Sequence, residues 1–192
     1  MPYPAKTNRD DIVREALMLL ETAGPAALSM RALASKLGVN ASSLYHHFSN
    51  KEVLEKALAD EGATLLLRRL ETATQNQPAE EAFRTTAKTY LTFCNEHPAL
   101  YDLFTAPRPL ARAEADAGKD LWNFVLARVE EVTGRPDDTA ATVAFWSFLH
   151  GFVSLERSGL FGLSGARGGL EVGLEALLSG LPKVERTGVK SS

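Results

Sequence analysis

Residues 28–48 read LSMRALASKLGVNASSLYHHF and predict a short helix, a tight turn and a second short helix. The first helix follows Ser29, whose hydroxyl can accept a hydrogen bond from a free backbone N–H group. It stops at Gly38, because glycine readily takes the left-handed conformation that ends many helices. The second helix is predicted from Ala41 to His47, after Asn40, a residue type favoured at helix caps. Two short helices joined this way match a helix-turn-helix, in which the second helix enters the major groove of DNA.

The second helix of the pair divides its side chains between two sides. Leu44 and Phe48 lie four residues apart, so we predict that both are buried. The remaining residues are small or polar, which lets the backbone approach DNA and provides donors for phosphates and base edges. Arg31 is the best candidate for a guanine contact, and Lys51 begins the next helix, where phosphate binds favourably. The predicted DNA-binding residues are Ser29, Arg31, Asn40, Ala41, Ser42, Ser43, Tyr45, His46, His47 and Lys51.

Two other interpretations of this segment carry less weight. An ordinary pair of helices could carry the same tyrosine and histidines on its surface. His46 and His47 could also be metal ligands, but adjacent residues of a helix point about 100° apart and do not converge easily on one ion. Contact with DNA phosphates is therefore the preferred interpretation, and no metal site is predicted here.

Apolar residues recur at spacings of three and four along nearly the whole chain, which predicts an all-α fold of about nine helices. In the first helix a stripe from Ile12 to Ala23 is ended by Gly24-Pro25. A longer helix is predicted to begin near Lys51. Alternation typical of strands is absent, so no sheet is predicted. The later helices are predicted over residues 79–96, 99–105, 110–133, 137–159 and 168–181.

The motifs of the N-terminal part resemble the TetR family of bacterial regulators. The resemblance rests on residues 28–39, on Leu44-Tyr45-His46-His47-Phe48 and on Asn50-Lys51-Glu52-Val53-Leu54, and it is strong over residues 7–67. It implies a three-helix DNA-binding domain at 7–67, with a fourth helix leading into a helical ligand-binding and dimerisation domain at 68–192.

The resemblance also concerns the C-terminal part. It implies a homodimer formed mainly by the helices near 137–159 and 168–181. Residues 146–151 are similar to the Trp-x-x-x-His-Gly signature of one subgroup of the family. Members of the family usually enclose a small-molecule effector, and an apolar pocket with a few polar groups is the general form of such sites. The predicted lining residues are Phe93, Tyr90, Trp122, Trp146 and His150, although a histidine on an apolar helix more often has a structural role.

Composition limits the possible classes of protein. Cys94 is the single cysteine, so no intrachain disulfide can form and a reducing cytoplasm is expected. Neither a signal peptide nor a run of eighteen apolar residues is visible, which argues against secretion and membrane spanning. Cys94 and His97 could belong to a soft metal site, but a buried cysteine and a surface histidine are preferred. Residues 1–51 carry six basic and four acidic side chains, whereas the whole chain has a net charge of −3. A mildly basic head is compatible with DNA binding by one end.

The sequence contains no recognisable catalytic motif, such as a phosphate-binding glycine loop, a nucleophile elbow or HExxH. We therefore predict a transcriptional regulator that is not an enzyme and needs no cofactor. It is expected to be a repressor that a small-molecule effector releases from a pseudo-palindromic operator. The alternative from another class is a helical ligand-binding protein or enzyme with a vestigial DNA-binding head. A membrane-surface protein is a third possibility, weakened by the lack of a basic amphipathic helix.

Overall fold

The computed structural model describes residues 8–106 and 117–181, and these residues form nine α-helices, two short 3-10 helices and no strand. The predicted all-α fold is thereby confirmed. The part of the predicted 110–133 helix before residue 117 lies outside the described residues. The helices are α1 Arg9–Ala23, α2 Met30–Leu37, α3 Ala41–Tyr45, α4 Lys51–Thr74, α5 Ala79–Glu96, α6 Pro98–Thr105, α7 Ala117–Thr133, α8 Thr139–Arg157 and α9 Gly169–Gly180.

The chain divides into two compact units, with the boundary inside α4 between Thr64 and Leu65. The first unit is Met1–Thr64 with Glu96–Ala117, and the second is Leu65–Asn95 with Gly118–Ser192. The first unit therefore includes α6, which the sequence assigned to the C-terminal domain. The assignment of a DNA-binding function to 7–67 and of a ligand-binding function to 68–192 stays a prediction.

The core of the first unit comes from apolar side chains at the predicted helical spacing. Ile12, Ala16 and Leu20 of α1 are completely buried, as are Leu33 of α2 and Leu44 of α3. Burying a leucine or isoleucine contributes roughly 1.5–3 kcal/mol, so this cluster fixes the three helices against one another.

The sixth helix, α6, also packs on α1 within the first unit. Leu100 and Tyr101 of α6 are buried. The imidazole Nδ1 of His97, which precedes α6, lies 3.5 Å from Oε1 of Glu21 on α1. This half-buried pair joins two helices that are far apart in the sequence.

The second unit has its own aromatic and aliphatic core. The rings of Phe83 on α5 and Phe145 on α8 stack with their centres 4.0 Å apart. Val125 and Val129 of α7 are completely buried. Arg84 of α5 donates two hydrogen bonds to the carboxylate of Glu175 on α9, at 2.7 and 3.1 Å.

Close packing of α8 on α9 depends on a glycine. A Cβ atom at Gly173 would lie far inside van der Waals contact with the end of the Phe148 ring. Several large apolar side chains nevertheless remain exposed on α8, on α9 and between them, and we call them the apolar α8–α9 surface. They are Val143, Leu155, Leu160, Leu163 and Val172. Within residues 8–106 and 117–181, no helix has the length and apolar character needed to cross a membrane.

Candidate functional site

The turn between α2 and α3 is fixed by local hydrogen bonds. Ser29 precedes α2, and its Oγ accepts from the backbone N–H of Ala32 at 3.1 Å. Gly38 follows α2 with φ of 66°, in the left-handed region where glycine is strongly favoured. The N–H of Val39 then donates to the carbonyl of Ala34 at 3.0 Å. Both predicted helix ends are confirmed, so the start of α3 has a defined position relative to α2.

The recognition helix α3 is shorter than the sequence predicted. It ends at Tyr45, whereas the prediction continued to His47. The carbonyl of Leu44 accepts hydrogen bonds from both His47 and Phe48 at 2.9 Å, which tightens the chain into a turn. Leu44 and Phe48 are completely buried, as predicted. The two histidines therefore lie in the turn that follows α3.

Two asparagines flank α3 and have different roles. Asn40 occupies the position before α3, but its side chain makes no capping hydrogen bond with any residue that the structure describes. Asn40 is the N-cap residue of α3, as predicted, through its backbone position and not through a side-chain hydrogen bond to the described residues. Asn50 caps the next helix, α4, since its Oδ1 accepts from the N–H of Val53 at 2.9 Å. It orders the start of α4 at Lys51.

The ten predicted DNA-binding residues all keep some exposure, and none of them belongs to the buried core. Tyr45 is 51% exposed, so its ring and hydroxyl are free to reach a partner surface. The hydroxyl of Ser29 accepts the capping bond and still has its own hydrogen to donate. The exposed residues are Ser29, Arg31, Asn40, Ser42, Tyr45 and His46, and the half-buried ones are Ala41, Ser43, His47 and Lys51.

Two basic residues near this surface have acidic neighbours. Nζ of Lys51 lies 3.2 Å from Oε1 of Glu55, one turn later on α4. Nζ of Lys36 lies 3.6 Å from Oε1 of Glu15 on α1. Such exposed pairs contribute about 0–1 kcal/mol, so a phosphate can compete for either ammonium group.

Sequence reasoning missed the role of Arg9. Its guanidinium carbon lies 4.3 Å from the centre of the Phe48 ring, and its Nη1 donates to the carbonyl of His47 at 3.1 Å. Arg9 thereby holds the turn that follows α3 against the start of α1. The two bonded residues are 38 positions apart, so no local spacing indicated the contact.

A second candidate site lies in the second unit, where Tyr90 of α5 meets Trp146 and His150 of α8. We call these three residues the aromatic cluster. The ring centres are 4.9–5.4 Å apart. The Tyr90 hydroxyl shares a hydrogen bond with Nδ1 of His150 at 3.0 Å. Burial lowers the pKa of His150, which favours the neutral imidazole. Tyr90 is buried, so the accessible part of the cluster consists of the half-buried Trp146 ring and the half-buried, neutral His150 imidazole.

The other two predicted lining residues lie apart from this hydrogen bond. Phe93 is completely buried, with the guanidinium carbon of Arg69 5.3 Å from its ring centre. Trp122 is half-buried on α7 and makes no ring contact with another aromatic side chain that the structure describes. The structure thus brings together three of the five predicted residues.

Cys94 and His97 have separate surroundings. Cys94 is buried, and burial raises the pKa of its thiol to about 11. The protonated thiol is a poor metal ligand and a poor nucleophile at neutral pH. His97 is only 21% exposed in its side chain and faces Glu21, so it is less exposed than the predicted surface histidine. Among the described residues, no group of three or more His, Cys, Asp or Glu side chains has an arrangement suited to a metal ion.

These features define the class of protein. The helices α2 and α3 form a helix-turn-helix that binds DNA. The turn between them is fixed, Leu44 and Phe48 are buried, and the polar side of α3 is exposed. Residues 12–58 match the family described as bacterial regulatory proteins, tetR family, and residues 83–179 match the tetracyclin repressor-like, C-terminal domain. The chain belongs to the TetR family and is a DNA-binding transcriptional regulator.

Individual relatives agree with this family. An uncharacterized HTH-type transcriptional regulator of Mycobacterium tuberculosis is 32% identical over 162 residues, which span 82% of this chain and 73% of the relative. The tetracycline repressor protein class C of Escherichia coli is 43% identical over 60 residues, 31% of this chain and 27% of that protein. A solved structure of a protein with unknown function from a Rhodococcus species has a TM-score of 0.79 at 24% identity. The structural match covers 95% of this chain and the whole of the Rhodococcus chain.

Proposed function

We propose that the protein is a homodimeric repressor, which binds a pseudo-palindromic operator and is released from it by a small-molecule effector. The observation that carries this proposal is the exposed polar side of α3, held in place by buried Leu44 and Phe48 in a chain of the TetR family. Its site of action is the bacterial cytoplasm, where operator DNA is found.

The proposed DNA contacts follow from the position of each side chain. Ser42 and Tyr45 on α3 face the major groove, while Arg31 at the start of α2 reads a guanine edge. Ser29, His46 and Lys51 contact phosphates on either side of α3. Because phosphate contacts release bound counterions, operator affinity falls as the salt concentration rises.

The proposed dimer uses α8 and α9, which carry the apolar α8–α9 surface. Leu160 is 72% exposed and Val172 is 71% exposed, and single chains rarely expose several such residues close together in sequence. Pairing of two copies would bury these side chains. A symmetric dimer then places two copies of α3 in successive major grooves, about 34 Å apart.

The proposed effector binds at the aromatic cluster of the second unit. The half-buried Trp146 ring and a neutral His150 imidazole, held by the buried Tyr90 hydroxyl, suit an uncharged ligand with an apolar body. Effector binding releases DNA by favouring a conformation of the dimer whose two α3 helices no longer fit the operator spacing. Trp122 is proposed as a further lining residue, whereas the completely buried Phe93 would support the lining from behind.

A fluorescence experiment tests the effector site and its link to DNA. In a Trp122→Phe variant, Trp146 is the only tryptophan left and reports on the aromatic cluster. Compounds that change its emission are then tested for release of labelled operator DNA. The proposal expects the same compound to do both, with an equal midpoint. Compounds that bind at Trp146 without changing operator affinity would contradict effector control.

A further inference from the structure

The helix α9 has few features that fix its orientation. It is 12 residues long, contains three glycines and has no side-chain capping hydrogen bond from Gly168. Its buried residues are Leu174 and Leu178, which lie one helical turn apart on a single stripe. The close approach of Gly173 to Phe148 limits the distance between α9 and α8 but provides no directional bond. Because so short a helix is marginal on its own, the orientation of α9 depends on contacts with its neighbours.

A directional contact joins α9 to α5. Nε of Arg84 donates to Oε1 of Glu175 at 2.7 Å, and Nη2 of Arg84 donates to Oε2 of Glu175 at 3.1 Å. Such a two-point pair fixes the guanidinium and the carboxylate in one relative orientation. Hydrogen bonding by Arg84 lowers the pKa of the Glu175 carboxyl, so the pair stays charged in mildly acidic solution. The pair therefore holds α9 at a point 91 positions away in the sequence.

Glu175 lies close to the apolar α8–α9 surface along α9. It directly follows the buried Leu174, and it comes three residues after Val172, which belongs to that surface. Successive residues of a helix point about 100° apart, so a contact that holds Glu175 also fixes the direction of Val172. The pair with Arg84 thus sets the rotation of α9 at which Val172 is exposed.

We infer that Arg84 is a positioning residue for the homodimer, since it holds α9 through Glu175 in the orientation that association of two copies requires. This inference rests on the dimer proposed above. A helix that already has its bound orientation loses less conformational freedom on association. An exposed pair of this geometry changes an equilibrium constant about threefold. A symmetric dimer contains the pair twice, so its loss should weaken dimerisation about tenfold.

Sedimentation of the full chain over a range of concentrations measures the dimer dissociation constant. Arg84→Ala and Glu175→Ala should each raise this constant about tenfold. The double variant should also raise it only about tenfold, because the second change removes no further contact between α5 and α9. Independent effects would instead multiply to about one hundredfold. Arg84→Lys keeps the charge but lacks the two-point geometry, so its dissociation constant should lie between those of the unchanged protein and Arg84→Ala.

Glu80→Ala is the matched control. Oε2 of Glu80 lies 3.6 Å from Nη2 of Arg84, one turn earlier on α5. The variant therefore removes a carboxylate beside the same guanidinium without changing α9, and its dimer dissociation constant should equal that of the unchanged protein. Operator binding by Arg84→Ala should recover at concentrations at which this variant is dimeric, because its DNA-binding residues are intact.

The outcomes separate this inference from the proposed function. A monomeric unchanged protein at every concentration would contradict the homodimer and the inference together. Four results would overturn the inference alone, with the unchanged protein dimeric. They are an unchanged dissociation constant in Arg84→Ala, multiplied effects in the double variant, an equal effect of Glu80→Ala, or loss of helical circular dichroism in both single variants of the pair.

Discussion

Lys51 and Lys56 form ion pairs of the same kind on α4, yet only Lys51 belongs to the proposed DNA interface. Lys51 pairs with Glu55 at 3.2 Å, and Lys56 pairs with Asp60 at 2.7 Å, each one helical turn apart. Loss of either exposed pair changes the free energy of unfolding by less than about 1 kcal/mol. Their effects on DNA binding should differ.

Lys51→Ala should weaken operator binding about tenfold and lower the salt slope of log affinity by about 1, because one phosphate contact is lost. Lys56→Ala, the matched control, should leave both quantities unchanged. Fluorescence anisotropy at several salt concentrations measures them. Equal behaviour of the two variants would remove Lys51 from the interface.

His150 gives a prediction about pH. Its pKa is lowered by burial in the folded protein, so the unfolded chain binds a proton more readily. Its contribution to stability is complete above the ordinary pKa of about 6.5 and is lost as the pH falls below that value. The melting temperature should therefore drop more steeply between about pH 6.5 and 5 in the unchanged protein than in His150→Asn.

The control for this prediction is His46→Asn, because His46 is exposed. That variant should show the same pH profile as the unchanged protein. A His150→Asn profile that also follows the unchanged protein would show that His150 is not the titrating group.

At the level of single residues, sequence reasoning worked where the cause is local. Ser29 and Gly38 were predicted because a hydroxyl cap and a left-handed glycine depend on a few neighbouring residues. Leu44 and Phe48 followed from helical spacing. Asn40 takes the predicted N-cap position of α3, but its side chain makes no capping bond with the described residues, because the surrounding backbone decides whether such a side chain turns toward the helix. The contact between Tyr90 and His150 joins positions 60 residues apart, and the sequence predicted that both line one pocket without indicating their hydrogen bond.

At the level of elements, the position of α3 depends on α1 as well as on α2. Arg9 packs on Phe48 and donates to the His47 carbonyl. Replacing it with alanine removes one cation–π contact and one hydrogen bond, so Arg9→Ala should cost about 1 kcal/mol of unfolding free energy. Operator affinity should fall as well, since the turn after α3 loses its support.

Arg14→Ala is a suitable comparison for Arg9→Ala. Arg14 lies on the same helix and, among the described residues, forms an exposed ion pair with Asp11 alone. Arg9→Ala should unfold at a lower temperature and bind the operator more weakly than Arg14→Ala. If Arg9→Ala is as stable and binds as tightly as Arg14→Ala, Arg9 has no role in positioning α3.

The packing of α8 on α9 gives a second prediction at this level. In Gly173→Ala the new methyl group meets the Phe148 ring, so the ring or the helix must move. We expect a loss of about 1 kcal/mol in stability and weaker dimerisation, because overpacking displaces a side chain beside the proposed interface. Sedimentation and thermal unfolding measure these effects.

Gly180→Ala provides the comparison on the same helix, since a Cβ there has none of the described residues within 4 Å. Its stability should stay equal or rise slightly, as alanine favours helices more than glycine does. A similar result for Gly173→Ala would mean that the Phe148 ring or the helices can move aside without cost.

Element borders show which part of the fold follows from sequence. The borders of α5 at 79 and 96 were predicted correctly, because proline and the apolar spacing mark them. The end of α3 was predicted two residues too late. The N–H groups of His47 and Phe48 both donate to the Leu44 carbonyl, and no local sequence pattern indicates this turn. The grouping of α6 with the first unit arises from contacts with α1 across about 80 residues, which spacing alone does not reveal.

At the level of the whole molecule, the family, the fold and the charge distribution all favour binding to a specific DNA site. A mildly basic N-terminal segment suits binding at one DNA site, while the net charge of −3 disfavours indiscriminate coating of nucleic acid. We therefore expect the protein to bind a specific operator much more tightly than other DNA. A typical regulator binds its operator about 10³–10⁷ times more tightly than random sequence.

The most direct test of sequence-specific regulation is a binding selection from genomic fragments with the purified protein at two salt concentrations, followed by footprinting. We expect one discrete, pseudo-palindromic footprint whose affinity falls at the higher salt concentration. If the folded protein enriches no sequence at either salt concentration, the claim that it is a sequence-specific DNA-binding repressor is contradicted.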